Sequence, residues 1–408
     1  MTFTRKAADL VPIEDTVFAV VDLANKEAKK IGPENVVNAT IGALYDENGE
    51  LVAYKSVFDH YNQISNKAKA KYAASFVGND SYRQQVYQWV TQGANLDLAH
   101  RVIATPGGSG AVSMTFANIL DANETVILPN IAWGSYKLMA TQNNFKVQTY
   151  SLFEEDHFNL DSFKAVCSEV LNQQKKLLIV INDPCHNPTG YSMTRSEWDQ
   201  VIEFLNKCSE IGPVVLIDDI AYIDYAYDIP QSRKVMEAFN HISDNVLISI
   251  AFSCSKTCTS YGLRCGAAII LAKKEESVRE VEIVFEKHAR AVWSNIPNAA
   301  MDNFTWVTTD NYFNFLSEKQ DYIDLLKQRS SIFMEEANKV GLDVYPYKEG
   351  FFVTVKCKDN NQRDQLHEKL IKHHIFTVKV NLGIRVAICS CSIEKTKGLA
   401  TAIKMLAD

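Results

Sequence analysis

Residues 253–266 read SCSKTCTSYGLRCG, a lysine among small hydroxyl and thiol side chains with an arginine eight residues further on. Both follow the apolar run VLISIA, which has the length and composition of a buried strand. Desolvating a charge costs several kcal/mol or more unless something pairs or neutralises it, so Lys256 and Arg264 must be met by other groups. Three more stretches carry polar groups at the ends of apolar runs. TPGGSGAVSMTF at 105–116 is a Gly-rich turn feeding an apolar helix, which offers backbone N–H groups and a positive helix end to a phosphate. No GK[ST] follows, so it is not a Walker loop, and an ordinary tight turn has the same composition. NDPCHNPTG at 182–190 holds two prolines, Asn187 and a terminal glycine, and reads equally as a rigid loop. LIDDIAYIDYA sets Asp218 and Asp219 at a strand exit with Tyr222 three residues after Asp219. Adjacent strand residues face opposite ways, so one aspartate faces the site while the other caps or pairs elsewhere.

The elements that must position these groups are legible as a pattern. RVIATPGG, TVILPN, VQTYSL, KLLIVIND, VVLIDD, VLISIAFS and GAAIILA are strand-length runs, each beside a helix-compatible segment such as TRSEWDQVIEFLNKCSE. That alternation predicts an α/β fold, a mostly parallel sheet with helices on both faces, and open α/β sheets bind ligands beyond the ends of their strands. From about residue 308 the texture changes. A long helical stretch, FNFLSEKQDYIDLLKQRSSIFMEEANKVG, precedes strand-like GFFVTVKC, a helix over NQRDQLHEKLIKH, then IFTVKV and GIRVAICSCS. The division expected is an N-terminal segment at 1–50 that returns to a smaller α+β domain at 308–408, with a large domain at 51–307 between them. No repeat, low-complexity tract or Pro/Gly-rich linker separates the parts, so they are expected to pack closely.

Composition narrows the partners. The 408 residues carry a net charge of −7, which gives no support to nucleic-acid or anionic-membrane binding. A small molecule is the expected ligand. Nine cysteines form no CxxC pair or zinc-like ligand set, so no metal site is expected, and an odd number fits reduced thiols better than a disulfide framework. The stretch MTFTRKAADLVPIEDTVFAVVDL breaks its apolar residues with charges and has no signal-peptide core or membrane-spanning run, which makes a cytoplasmic location the expectation.

Taken in chain order, the phosphate-type turn, the Asn-Pro loop, the Asp with its Tyr, and the Lys with Ser and Arg resemble the class I/II aminotransferases of pyridoxal phosphate (PLP) fold type I. The likeness is to the aspartate and aromatic branch, and it runs from NATIGALYDENGE to GIRVAICS. NPTG, DxAY and SKxxxxxGLRxG in that order make it specific. It implies a seven-stranded large-domain sheet and a role for each residue. Lys256 matches the lysine that holds pyridoxal 5'-phosphate as a Schiff base, which removes the buried ammonium and activates the carbonyl. Asp219 would pair with the pyridinium nitrogen, and Tyr222 and Asn187 would hydrogen-bond the phenolic oxygen. Arg264, Ser253, Gly108 and Ser109 would hold the phosphate. Trp133 in PNIAWGSY matches the residue stacked on the ring, with ordinary core packing as the alternative, since two extra residues separate it from the preceding proline. Arg385 in GIRVAI matches the arginine that grips the substrate α-carboxylate, a bidentate task, and Gly42 the glycine lying against that carboxylate. The implied Asn187–Pro188 bond is cis. Gly107 stands where close relatives have serine, which removes one hydroxyl ligand, while Cys185 and His186 match no functional position and are expected to pack.

The resemblance also implies an assembly and a reaction. Tyr72 in KYAASF matches the tyrosine that reaches a neighbouring subunit's phosphate. Arg290 in RAVWSNIPNAA, four residues before Ser294, matches an arginine that crosses the interface to bind a distal carboxylate, although a cation also suits the end of that helix. A homodimer with shared sites is therefore implied, with dicarboxylic or aromatic amino acids and 2-oxo acids exchanging an amino group by ping-pong half-reactions. A fold-type I carbon–sulfur β-lyase would share every cofactor residue and differ only after loss of the Cα proton. A PLP-sensing regulator needs a DNA-binding module for which the chain shows no room, and a nucleotide-binding dehydrogenase needs the GxGxxG spacing that is missing here.

Overall fold

The computed structural model describes residues 3–5, 8–12 and 16–408, so the expected N-terminal segment lies partly outside the described residues. The seven apolar runs become the strands of one sheet: β1 Ala99–Thr105, β2 Thr125–Pro129, β3 Lys146–Tyr150, β4 Leu177–Ile181, β5 Val214–Asp219, β6 Val246–Ser253 and β7 Gly266–Ala272. Every residue of β2, β4, β5 and β7 is buried, which is why these strands read as continuous apolar runs rather than alternating ones. Each large aliphatic side chain so buried contributes about 1.5–3 kcal/mol by leaving water. The strand order is β1-β7-β6-β5-β4-β2-β3. Only β7 runs against its neighbours, β6 and β1, so the sheet is mostly parallel as the alternation predicts.

That one reversal builds the site's edge. Gly266, the first residue of β7, pairs with both Thr105 at the end of β1 and Ser253 at the end of β6. The Gly-rich turn, the Lys256 segment and Arg264 are therefore delivered to one place by strand register. Helix α1, Gly107–Ile119, starts straight after β1 and packs against β6 and β7.

Beyond the sheet, helix α2, Glu275–Val292, packs on β1 and β7, and helix α3, Tyr312–Val340, runs on for 29 residues. A three-stranded antiparallel sheet follows, with β8 Phe352–Lys356, β9 Val378–Val380 and β10 Gly383–Ala387 in the order β8-β10-β9. The short strand Val37–Asn38 pairs in parallel with Ile375–Phe376, and Ala387 N–H donates to the Ala39 carbonyl at 3.0 Å. Early and late segments of the chain are thus stitched together by backbone hydrogen bonds. No helix among the described residues is long and apolar enough to cross a membrane. All nine cysteines are buried and unpaired.

Candidate active site

The Gly-rich turn enters helix α1 through Gly107, whose φ of 74° lies in the left-handed region that a Cβ disfavours. A Cβ there would also stand 2.7 Å from Arg264 Nη2. The guanidinium lies over the turn, donating from Nη2 to the Pro106 carbonyl at 3.1 Å, and from Nη1 to the Tyr261 carbonyl at 2.9 Å and Ser255 Oγ at 3.2 Å. Gly108 lies against Ser253, whose Cβ is 3.3 Å from where a Gly108 Cβ would stand, and Ser109 follows in the same first turn. Backbone N–H groups at a helix start beside a guanidinium fork form an anion cradle. Ser255 was not read from the sequence as part of it, although it sits directly before Lys256.

Lys256 is carried on the short helix Cys254–Thr257 that follows β6. Its Nζ donates to the Gly42 carbonyl at 2.5 Å and lies 4.7 Å from the Tyr261 ring centre and 5.4 Å from that of Tyr222. Burial pulls the amine down to about 8; Cys389 pulls the other way, while Arg385 and Arg264 add to the lowering. Gly42 reaches this point because it has no side chain, since a Cβ would come within 2.9 Å of Phe352 Cζ.

Asp219 ends β5 and is 5% exposed. Oδ2 accepts from the Tyr136 hydroxyl at 2.5 Å and Oδ1 from the Ala221 N–H at 3.1 Å. Burial raises its pKa, and these two donors partly offset the rise. Tyr136 stands edge-on to Trp133, 5.3 Å between ring centres, so one tyrosine touches both expected cofactor residues. It was not singled out in the sequence; its signal is a place three residues after Trp133, one helical turn on. Asp218 departs from expectation: among the described residues it neither caps nor pairs. It is buried with Oδ1 lacking a hydrogen-bond partner, and burial, then the charges of Asp183 and Asp219, push its carboxyl well up. β5 is covered on both faces, so the residue that points away from the site points into core instead of solvent.

Arg385 projects from β10, donating from Nη1 to Asn187 Oδ1 at 3.2 Å and from Nη2 to the Thr40 carbonyl at 2.7 Å, while Nε is buried without a partner. Its guanidinium covers the Phe352 ring at 4.3 Å. Asn187 is fixed by its own N–H to Asn182 Oδ1 at 2.7 Å, and Asn182 in turn donates to the Asp219 carbonyl at 2.5 Å. The Asn187–Pro188 bond is cis as expected, and Asp183–Pro184, unremarked in the sequence, is cis too. Cys185 and His186 are buried in the loop, His186 Nδ1 sharing a hydrogen bond with Thr189 Oγ1 at 2.8 Å. Tyr222 is buried near Gly42, its hydroxyl 3.6 Å from where a Gly42 Cβ would lie.

Two expected residues are not gathered with the others. Tyr72 is 80% exposed. Arg290, in the last turn of α2, is exposed, donates to Ser294 Oγ at 2.8 Å and covers the Phe76 ring at 4.8 Å. Among the described residues, neither makes a hydrogen bond or ion pair to Lys256, Asp219, Arg264 or Arg385.

Residues 34–403 match the family model described as "Aminotransferase class I and II". The chain is 23% identical over 288 residues to the mitochondrial aspartate aminotransferase of Schizosaccharomyces pombe, covering 69% of this chain and 63% of that protein, so it spans less than two thirds of that relative's length. Among solved structures, an aminotransferase from Anaerococcus prevotii superposes with a TM-score of 0.95 at 31% identity, over 100% of this chain and 99% of that one. An aromatic-amino-acid aminotransferase from Burkholderia pseudomallei, covalently bound to pyridoxal phosphate, shares the fold with a TM-score of 0.80 at 19% identity, over 99% of each chain.

Proposed function

This chain belongs to the class I and II aminotransferases, and on that premise we propose that it is a PLP-dependent transaminase. The observation that carries the reading is an imbalance of charge among the gathered residues. Among the described residues, Lys256, Arg264 and Arg385 have only neutral hydrogen-bond partners, and Asp219 has no cation beside it. Pyridoxal phosphate has the complementary groups: a phosphate, a protonatable ring nitrogen and a carbonyl that reacts with an amine. The cradle fits it, because Gly107 and Gly108 leave clear the space that side chains would fill beside Arg264 and Ser253.

When bound, pyridoxal phosphate supplies an electrophile and a conjugated ring that takes up the electrons left when a substrate Cα loses its proton. Lys256 would hold it covalently, Asp219 its ring nitrogen, Asn187 and Tyr222 its phenolic oxygen, and Gly108, Ser109, Ser253 and Arg264 its phosphate, with Trp133 against its face. Arg385 grips the α-carboxylate of the amino acid and so fixes which Cα bond lies across the ring. Lys256 Nζ would remove the Cα proton and deliver it two atoms further on, past the amino nitrogen, a task for which an amine drawn down to about 8 is suited. The amino group passes from amino acid to 2-oxo acid in two half-reactions on one site, hence ping-pong kinetics.

The substrates are dicarboxylic or aromatic amino acids and their 2-oxo acids, and the working unit is a cytoplasmic homodimer in which Tyr72 and Arg290 serve the neighbouring site. Their exposure in the single chain supports this. Residues 51–307 act as the cofactor-binding domain, and the 1–50 segment packs with 308–408, a reading supported by the pairing of Val37–Asn38 with Ile375–Phe376. The test is purified protein assayed for the visible absorbance of the bound cofactor and then for amino transfer from a panel of amino acids to 2-oxoglutarate. Release of pyruvate and ammonia without amino transfer would favour a β-lyase. Losing one desolvated charge contact costs roughly 2–5 kcal/mol, so Arg290→Ala is expected to depress activity with aspartate and glutamate far more than with tyrosine and phenylalanine. Equal losses remove the dicarboxylate reading.

A further inference from the structure

Asp224 lies five residues beyond Asp219 on the same stretch and is 1% exposed. Its Oδ1 accepts from Arg233 Nη2 at 2.6 Å and lies 3.4 Å from Lys319 Nζ, while Oδ2 accepts from Trp89 Nε1 at 3.0 Å and from Thr257 Oγ1 at 2.6 Å. Three hydrogen-bond donors and the Lys319 ammonium thus surround one carboxylate. Arg233 and Lys319 are each 1% exposed, and the Lys319 ammonium also sits over the rings of Phe315 at 4.3 Å and Trp89 at 4.4 Å. Thr257 is the residue after Lys256. The neighbouring Tyr225 hydroxyl donates to the Lys256 carbonyl at 3.1 Å and shares a hydrogen bond of 3.0 Å with the Tyr54 hydroxyl. Residues 224 and 225 therefore hold the Thr257 side chain and the Lys256 carbonyl respectively.

We propose that Asp224 is a positioning residue for Lys256, acting through Thr257, and that Arg233 and Lys319 keep its carboxylate charged and fixed beneath the reactive amine. The inference rests on the reading of Lys256 as that amine. A lysine side chain is long and flexible, so the place of its Nζ is set first by the place of its backbone. The turn that carries Asp224 also carries Tyr222 and follows directly on Asp219. One carboxylate therefore ties the segment bearing the proton-moving amine to the segment bearing the groups it must work against. Lys319, on α3, extends the tie to the C-terminal part of the chain. Stability alone is a weaker account, because apolar side chains of similar volume often serve a core as well as a buried ion cluster does. Burial raises the Asp224 carboxyl, but Lys319 and Arg233 outweigh it and hold the group well below the usual carboxylate range.

The amine and the substrate grip are mounted separately: Arg385 is on β10 and is oriented by Asn187 and Thr40, none of which touches Asp224. Loosening Thr257 should then lower kcat and spare KM. The test uses the holoenzyme, with Thr257→Val removing the hydroxyl at nearly constant volume and Thr257→Ser as the conservative variant. In the wild type and in Thr257→Val, borohydride is expected to fix PLP to Lys256. Misplacement by about 1 Å can cost about a hundredfold, so kcat of Thr257→Val should fall about ten- to a hundredfold with KM for the amino donor within about twofold, and Thr257→Ser should recover most of the loss. Unchanged kcat in Thr257→Val, or a serine variant as slow as the valine one, overturns the proposal. Tyr225→Phe, which removes the second hold, is expected to give the same split with a smaller fall; a lower melting temperature with unchanged kcat there also overturns it. A wild type that fixes no cofactor on Lys256 overturns the transaminase reading together with this inference.

Discussion

Asp219 and Asp224 are buried carboxylates five residues apart, and their surroundings push them in opposite directions. Asp219 meets a phenol and a backbone N–H, so burial prevails and its pKa rises. Asp224 meets a guanidinium, an ammonium, an indole and a hydroxyl, and its pKa falls. Depth of burial does not separate them; the company of cations does. A carboxylate already saturated by cations has nothing left to offer a ligand and serves as a fixed point. One held by neutral donors keeps its demand for a positive charge, which is the condition for receiving a protonated ring nitrogen. The cations divide the same way, with Arg233 and Lys319 spent on Asp224 while Lys256, Arg264 and Arg385 face only neutral groups.

The largest contrast should come from removing one member of each region. Lys256→Ala is expected to abolish turnover and borohydride fixation, while urea unfolding of the cofactor-free protein shows stability unchanged or higher, because a desolvated amine with no acidic partner has been removed. Asp224→Ala should cost about 3–5 kcal/mol in the same unfolding experiment, since two buried cations lose their counter-charge. Equal stability losses in the two variants would break the division between saturated and unsaturated charges.

The unsaturated region was the easier one to read. Lys256, Asp219, Asn187 and Arg264 follow or end apolar runs and Arg385 interrupts one, places where a polar group is conspicuous, and the strand pattern predicts the large sheet that gathers the first four. The saturated region hid in plain sequence. Lys319 in LSEKQDY reads as a solvated helix charge, yet Phe315, Lys319, Ile323 and Leu326 fall at helical spacing and all four are buried. The stripe was legible, but a lysine on it is recognised as buried only once its carboxylate is known, and that partner lies 95 positions earlier in the chain. Asp218 points away from Asp219 as alternation predicts, but its strand is covered on both faces, so the expected cap or pairing gives way to core. Tyr72 and Arg290 were found by local resemblance alone, since burial within one chain carries no signal for a group that acts across an interface.

Asp183 sharpens the comparison through pH. It accepts from the Met193 N–H at 2.6 Å and Trp198 Nε1 at 2.9 Å, with no cation, and burial raises its carboxyl to about 7. A carboxyl whose folded pKa lies above its unfolded value of about 3.9 imposes no penalty while both states are protonated. The folded state then loses stability as pH rises through about 7. This one group should weaken the protein by roughly 3 kcal/mol between about pH 5 and about pH 8, and Asp183→Asn should flatten that slope in a series of melting curves. Asp224 has the opposite sign: its contribution is present above the unfolded pKa and is lost only on acidification well below about pH 4. A slope that survives Asp183→Asn unchanged would show that neutral donors suffice to keep a buried carboxylate ionised here.

The smallest expected effect isolates one such donor. Tyr136→Phe removes the hydroxyl that donates to Asp219 at 2.5 Å and keeps the ring that meets Trp133 edge-on, so packing is spared. Asp219 is left with the Ala221 N–H alone, and its carboxyl should rise further. A hydrogen bond to a charged group is worth about 1.5–3 kcal/mol, and losing it raises the cost of ionising Asp219 for the ring nitrogen. Cofactor-free Tyr136→Phe is therefore expected to take up pyridoxal phosphate about tenfold more weakly than the wild type, a loss of about 1.4 kcal/mol, with the deficit growing as pH falls and the less acidic carboxyl takes its proton. Titration of the cofactor-free proteins with pyridoxal phosphate at two pH values measures this directly. Equal affinities at both would mean that Asp219 owes its readiness for a cation to burial and strand geometry, and the phenol beside it would rank with the scaffold instead of the site.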